Sequence, residues 1–346
     1  MMTFCTLFDH NYLDKGLTLY SSLEKVCENF KLYVLCMSDK CLEILADLNK
    51  DNVIPISLKQ FEDCELLRVK KSRSVGEYCW TCTSSLILYV LKTFRPEYCT
   101  YIDADMYFYS DPEVIISEMK CKNASVQIIG HRFPAKVASQ REFEVGKYCV
   151  EFDTFKNDEN GIYLLNVWRK QCLEYCSADN DGVHYGDQKY QDNWCNDYDF
   201  CIETSEYGAG VGPWNYSEYK LENSYDGQIV VNYKGNRCKL IFYHFEDIEY
   251  VDRKHVVLNN LYNSWGMSPA LANALYPNYL KEIDCYKTLL STEYNVEVLI
   301  KKHPEYYKAK KISFLKIWKV VRCHLLRSLK VRLLDIYYRK YKHVYI

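Results

Sequence analysis

Tyr98-Cys99-Thr100-Tyr101-Ile102-Asp103-Ala104-Asp105-Met106-Tyr107-Phe108-Tyr109-Ser110-Asp111-Pro112 is a β-favouring run that climbs to two carboxylates one residue apart and then turns. In extended backbone alternate side chains share a face, so Asp103 and Asp105 are expected to point the same way. Two like charges so placed repel, and a divalent cation relieves the repulsion. Oxygen ligands suit Mg²⁺ or Mn²⁺, which keep positions open for phosphate oxygens. Alone, an Asp-x-Asp also reads as a solvated turn at a strand end. Its surroundings decide between the two.

Upstream, Thr3–Phe8 reads as a strand ending at Asp9-His10-Asn11-Tyr12. Leu17, Leu19, Tyr20, Leu23 and Val26 then recur at helical spacing, with Asp14 as the expected N-cap. Phe30–Met37 is a second strand, Ser38-Asp39 opens another helix, and Val53–Ile56 is a third strand. This β-α-β-α-β order predicts an α/β fold with a mostly parallel sheet and helices on its faces. Ligands of such sheets bind beyond the carboxyl ends of the strands, where Asp9-His10-Asn11-Tyr12 falls. The basic stretch Lys70–Gly76 precedes a long apolar helix expected over Glu77–Phe94. No Gly-x-Gly-x-x-Gly follows the first strand and no Gly-x-x-x-x-Gly-Lys-Ser/Thr occurs, which removes the usual support for dinucleotide oxidoreductases and P-loop NTPases.

Downstream come an expected strand over Ser125–Gly130, an exposed-looking His131-Arg132-Phe133, and a strand over Cys149–Phe155. Asp187-Gln188 pairs a charged acceptor with a two-way amide, which suits sugar hydroxyls, although Asp187 also reads as a helix cap. Glu206–Asn215 holds three glycines and Trp214, a loop that allows close approach of a ligand and offers an aromatic face. His244 closes an apolar strand, a position that suits an edge histidine as well as a ligand. His255–Thr292 reads as helical and amphipathic.

The net charge of −2 conceals an asymmetry: residues 301–346 hold 14 Lys and Arg against 2 acids, which leaves 30 basic and 44 acidic residues in the rest. Along 312–336, Phe314, Trp318, Val321, Leu325 and Leu329 share one helical face, with Lys316, Lys319, Arg327 and Lys330 roughly opposite. A basic amphipathic tail of this kind suits an anionic membrane surface, or else packs on the body with its charges in water. An acidic body disfavours nucleic acid as a partner. No basic leader with an apolar core opens the chain, so a signal peptide is not expected, nor is a membrane-spanning helix. The 17 cysteines then read as reduced cytoplasmic thiols, including Cys79 and Cys82 in the long helix.

Together these pieces resemble the GT-A nucleotide-sugar glycosyltransferases, closest to the family 8-like enzymes that include glycogenin and bacterial transferases building surface polysaccharides and lipooligosaccharides. The resemblance spans roughly residues 3–250 and implies a GT-A type, Rossmann-like mixed sheet flanked by helices, with a C-terminal helical extension. The expected division is a catalytic domain over 1–250, a helical accessory region over 251–300 and the basic tail over 301–346. Thr6-Leu7-Phe8-Asp9-His10-Asn11-Tyr12 stands where the family contacts the nucleoside, so Thr6, Phe8, Asp9, Asn11 and Tyr12 are implied donor-binding residues. Asp103-Ala104-Asp105 matches the family's metal-binding Asp-x-Asp, and His244 its third metal ligand, with Mn²⁺ or Mg²⁺ as the cofactor. Asp187 and Gln188 match the Asp-Gln set beside the donor sugar, and Arg73 would reach the nucleotide-sugar. One departure stands out: the family follows its His with a Gly and Lys-Pro-Trp, whereas here His244 is followed by Phe-Glu-Asp-Ile-Glu-Tyr.

The resemblance implies metal-dependent transfer of a hexose from a nucleoside diphosphate sugar, UDP-linked, to a glycan or glycolipid hydroxyl with retained configuration. The implied place is the cytoplasm, on the inner face of the membrane. A sugar nucleotidyltransferase, an inverting GT-A enzyme and a non-catalytic glycan-binding protein are the rival readings. The first usually carries a Gly-rich basic loop where Thr6-Leu7-Phe8-Asp9 stands.

Overall fold

The computed structural model describes residues 1–225, 228–246, 248–252, 255–257, 268–297, 300 and 343–345. Its first half runs β1 (Met2–Phe8), α1 (Leu13–Val26), β2 (Phe30–Cys36), α2 (Asp39–Leu48), β3 (Val53–Ser57), the short α3 (Leu58–Phe61) and α4 (Cys64–Lys70), then α5 (Val75–Phe94), β4 (Tyr98–Ile102) and β5 (Met106–Phe108). There follow α6 (Glu113–Cys121), β6 (Val126–Gly130), α7 (Ala135–Val145), β7 (Tyr148–Lys156), α8 (Glu159–Glu174), α9 (Trp194–Asp197) and β8 (Cys201–Glu203). A seven-stranded sheet takes the order β3-β2-β1-β4-β7-β6-β8. The β3-β2-β1-β4 half is parallel, β7 runs antiparallel to both β4 and β6, and β8 is parallel to β6. This is the mixed, mostly parallel sheet flanked by helices that the GT-A resemblance implies.

Apolar side chains on both sheet faces hold these layers together. On one face Phe4, Phe108, Phe152 and Phe242 pack with Leu17 and Leu23 of α1. On the other, Leu86 and Leu91 of α5 and Trp168 of α8 cover the sheet, and Trp168 stacks on Phe155 at 5.9 Å between ring centroids. Full burial of such side chains stabilises by roughly 1.5–3 kcal/mol each.

The last part comprises β9 (Tyr219–Tyr225), β10 (Gln228–Tyr233), β11 (Asn236–Lys239), β12 (Phe242–His244), β13 (Glu249–Asp252), β14 (His255–Val257), α10 (Pro269–Tyr294) and β15 (His343–Tyr345). β12 leaves the hairpin of β9–β11 to pair antiparallel with β5, Phe242 opposite Phe108 and His244 opposite Met106. A tyrosine-rich third core lies between this pair and α10, where Phe245 stacks on Tyr279 at 3.8 Å. α10 also reaches α1, through Ser21 Oγ donating to Glu282 at 2.5 Å and the Lys25–Glu282 ion pair. Among the described residues, no helix is long and apolar enough to cross a membrane.

Several sequence expectations need correction. Asp14 is not the N-cap of α1, a place taken by Tyr12. It is buried inside the helix, bonded to Tyr250 Oη at 2.8 Å, and a partner so distant in sequence gives no local signal. α5 starts at Val75 rather than Glu77, because Ser74 and Glu77 close a capping box in which each side chain bonds the other's backbone N–H. His131 and Phe133 are buried rather than exposed, under the loop that carries Asn215, whose Nδ2 donates to His131 O at 2.7 Å. His255 belongs to a strand and α10 begins only at Pro269, where Ser268 caps it. The amphipathic tail helix expected over 312–336 lies outside the described residues.

Candidate active site

Asp103 and Asp105 come together by a turn, not by strand alternation. Ile102 ends β4, Met106 begins β5, and Met106 N donates to Asp103 O at 3.3 Å across the bend. The β5–β12 pairing then fixes the third group. Phe245 N donates to Asp105 O at 2.8 Å, which sets His244 Nε2 2.9 Å from Asp105 Oδ1 and 3.8 Å from Asp103 Oδ2.

Behind the imidazole stands Glu151 of β7, fully buried, with Oε2 2.9 Å from His244 Nδ1. A carboxylate there favours the proton on Nδ1 and leaves Nε2 facing the two aspartates. The backbone of the same residue accepts from Asp103 N at 3.3 Å, so Glu151 braces two of the three groups. Cys149 joins this layer: its sulfur, a Glu151 oxygen and a His244 nitrogen lie within 4.8 Å of one another. Two carboxylates that approach one imidazole nitrogen, at 2.9 and 3.8 Å, with the second nitrogen held by a buried acid, are donors of the kind a hard divalent cation takes.

Electrostatics separate the two aspartates. Burial pushes Asp103 up to about 7, with the neighbouring Asp105 charge adding to the rise and His244 opposing it. Asp105 is buried too, yet the charge and hydrogen bond of His244 hold it well below the usual carboxylate range. Burial works against a charged His244, but Asp105 and Glu151 outweigh it and raise the imidazole well above its ordinary value. Without a cation, then, His244 and Asp105 form an ion pair, and Asp103 titrates near neutrality.

Asp103, Asp105, Cys149 and His244 line an open cleft of about 830 Å³, a size that holds a ligand of several rings. Phe8, Asp9, Asn11 and Tyr12 line the same cleft, beyond the carboxyl end of β1. Asn11 donates to both Asp9 oxygens, from its backbone N at 2.9 Å and its Nδ2 at 2.8 Å, so this turn is preformed. Tyr12 Oη donates to Asp105 Oδ2 at 3.3 Å and ties this turn to the aspartates. Phe8 depends on Gly16: a Cβ on Gly16 would meet the Phe8 ring at 2.5 Å. Thr6 is fully buried within β1 and lies outside the lining.

Asp187 and Gln188 line the same cleft, as do Arg73 and Ala104. Asp187 does not act as a helix cap; it is buried, its carbonyl accepts from Trp168 Nε1 at 2.8 Å, and burial pushes its carboxyl up to about 7. Gln188 Nε2 donates to Val145 O at 2.6 Å. Arg73 Nη2 reaches the carbonyls of Leu173 and Cys172 at 3.4 and 3.5 Å, while its Nε has no hydrogen-bond partner. Trp214 stands edge-on between His131 and His244, with ring centroids 5.4 and 5.3 Å away.

Glu151, Cys149 and His131 are the lining or supporting groups that sequence reasoning missed. The signal for Glu151 was present: Glu151 and Asp153 alternate in an otherwise apolar strand, which places two acids on one buried face.

No protein-family model matches the chain. Among solved structures it is similar to galactosyltransferase LgtC in complex with donor and acceptor sugar analogs, at 11% identity and a TM-score of 0.49, covering 82% of this chain and 96% of that one. It is also similar to the apo form of mouse xyloside xylosyltransferase 1, at 12% identity and a TM-score of 0.43 over 61% of this chain and 87% of that one. In sequence it is 28% identical over 297 residues to the uncharacterized protein YfnF of Bacillus subtilis (strain 168), covering 84% of this chain and 96% of YfnF. The uncharacterized protein YfnD of the same strain is 30% identical over 254 residues, 72% of this chain and 79% of YfnD. At that identity and coverage the chain belongs to the same family as YfnD.

Proposed function

We propose that this protein is a glycosyltransferase that moves a hexose from a UDP-linked sugar to a glycan or glycolipid hydroxyl, with Mn²⁺ or Mg²⁺ as cofactor. The observation that carries the reading is the approach of Asp103 and Asp105 to His244 Nε2 in a cleft that the Asp9–Tyr12 turn also lines. Asp103, Asp105 and His244 would hold the cation, which when bound neutralises charge on the diphosphate leaving group.

The chain's own residues bind and orient. Asp9, pinned by Asn11, offers a rigid acceptor to a nucleoside, and the Tyr12 ring offers a stacking face. Glu246 lines the cleft close after His244, so a positive charge for the diphosphate has to come from elsewhere, and Arg73 is a guanidinium in the lining. Asp187 and Gln188 position donor sugar and acceptor, an orientation effect. Retention of configuration is the proposed outcome, and the anomeric proton of the product decides it. The basic tail is proposed to hold the protein to the inner face of an anionic membrane, the tail's charge being the support.

The test is a screen of nucleotide-sugars with Mn²⁺, read as released nucleotide. Turnover that stops in EDTA and in Asp103→Ala is expected. Turnover surviving either one overturns the proposal.

A further inference from the structure

A second set of metal donors adjoins the aspartates. Cys149 and Glu151 are two residues apart on β7 and so share a face of the strand, and His244 closes β12 beside them. The Cys149 sulfur, one Glu151 oxygen and one His244 nitrogen lie within 4.8 Å of one another, and all three residues are buried. Among the described residues no other three His, Cys, Asp or Glu side chains bring their ligand atoms so close together. The imidazole nitrogen on the Glu151 side is Nδ1, 2.9 Å from Oε2, whereas Nε2 faces the aspartates. The other Glu151 oxygen, Oε1, is buried without a hydrogen-bond partner. An orphaned carboxylate oxygen in the interior carries a cost that a bound cation removes. Cys149 and His244 both line the cleft, so an ion has a way in.

The donor set selects the ion. Sulfur, imidazole nitrogen and carboxylate oxygen together suit Zn²⁺, whereas Mg²⁺ and Mn²⁺ prefer oxygen. One thiolate and one carboxylate also cancel the charge of a divalent ion, which a buried site requires.

We infer that Cys149, Glu151 and His244 Nδ1 form a Zn²⁺ site that shares only the imidazole with the aspartate site, and that zinc bound there switches the centre off. Binding exchanges the Cys149 thiol proton and the Nδ1 proton for the ion, and both protons pass to solvent. His244 is then neutral, with its remaining proton on Nε2, 2.9 Å from Asp105 Oδ1. A protonated ring nitrogen donates and cannot ligate. Zinc at Nδ1 therefore leaves Mn²⁺ with the aspartates alone, and the two sites exclude each other. The inhibition rests on the proposed metal-dependent activity; zinc binding does not.

X-ray absorption at the zinc edge, on the full-length chain with one equivalent of Zn²⁺, tests this. The expected shell holds one sulfur at about 2.3 Å, with nitrogen and oxygen at about 2.0–2.2 Å. Cys149→Ser and Cys149→Ala should each lose the sulfur and weaken zinc binding by at least roughly 100-fold, the upper end of what loss of a supporting group costs. Asp103→Ala should keep both the sulfur and the wild-type zinc affinity. A wild-type shell without sulfur overturns the proposal, since zinc then sits elsewhere. So does a sulfur that persists in both Cys149 variants, because another thiol supplies it. Electron paramagnetic resonance of Mn²⁺ checks the exclusion: one equivalent of Zn²⁺ should leave added Mn²⁺ free, and a chain that holds both ions at once overturns the switch. A shell with the Cys149 sulfur, in a chain that binds no Mn²⁺ even without zinc, would sink the proposed activity and leave the zinc site standing.

Discussion

Glu151 and His244 share a buried hydrogen bond of 2.9 Å, and that bond decides which imidazole nitrogen faces Asp103 and Asp105. Removing the carboxylate frees the ring to rotate or change tautomer. Glu151→Gln and Glu151→Ala are expected to weaken Mn²⁺ binding by about 10–100-fold, the usual effect of losing a carboxylate behind a metal-ligating histidine. Titration calorimetry with Mn²⁺ measures it directly. Wild-type affinity in both variants would show that Glu151 does not orient the ring.

Asp103, pushed up to about 7, carries a proton over much of the range in which Asp105 is already ionised. A cation must displace that proton. Calorimetry in buffers of different ionisation enthalpy should show more than one proton released per Mn²⁺ near pH 6, because Asp103 and the charged His244 each have to give one up, and fewer near pH 8, where Asp103 is already largely ionised.

Asp187 sets a pH dependence of opposite sense to that of a paired surface carboxylate. Burial raises its folded value to about 7 from an ordinary 3.8, so the folded state holds a proton that the unfolded chain has lost. Stability therefore falls as pH rises from about 4 to about 7. Asp187→Asn removes this contribution. Thermal melts across that window should be flatter in the variant than in the wild type, and identical slopes would contradict the assignment.

Gly16 lies under the Phe8 ring, where a Cβ would sit 2.5 Å from ring carbons. Gly16→Ala should displace Phe8, which lines the cleft, and cost roughly 1–3 kcal/mol as an overpacked site. Denaturant melts measure the cost, and tryptophan-free binding assays of UDP measure the displacement. A variant with unchanged stability would mean that the ring moves freely.

The parts of this site legible in the sequence share a property: each is announced by neighbours along the chain. Asp103 and Asp105 stand out by their spacing at a strand end, and the Asp9–Tyr12 turn by its place after a strand. What stayed hidden depends on contacts between distant segments. Asp14 looks like a cap because the Tyr250 hydroxyl that bonds it lies far along the chain. His131 looks exposed because the loop that covers it, anchored by Asn215, carries no mark of where it folds. Glu151 was visible as an acid in an apolar strand, but its partner at His244 was not. The turn that joins the two aspartates also escaped a reading built on strand alternation, because only the break after Ile102 turns both carboxylates to one imidazole.

The pairing of β5 with β12 has a consequence for how the protein is made. His244 can meet Asp105 only after β12 has been synthesised, long after the turn that carries Asp103. Until then the chain holds the two aspartates and Glu151 without the imidazole that stands between them in the finished fold. A chain stopped before Phe242 would contain every strand of the seven-stranded sheet but lack His244, the third group of the proposed metal site.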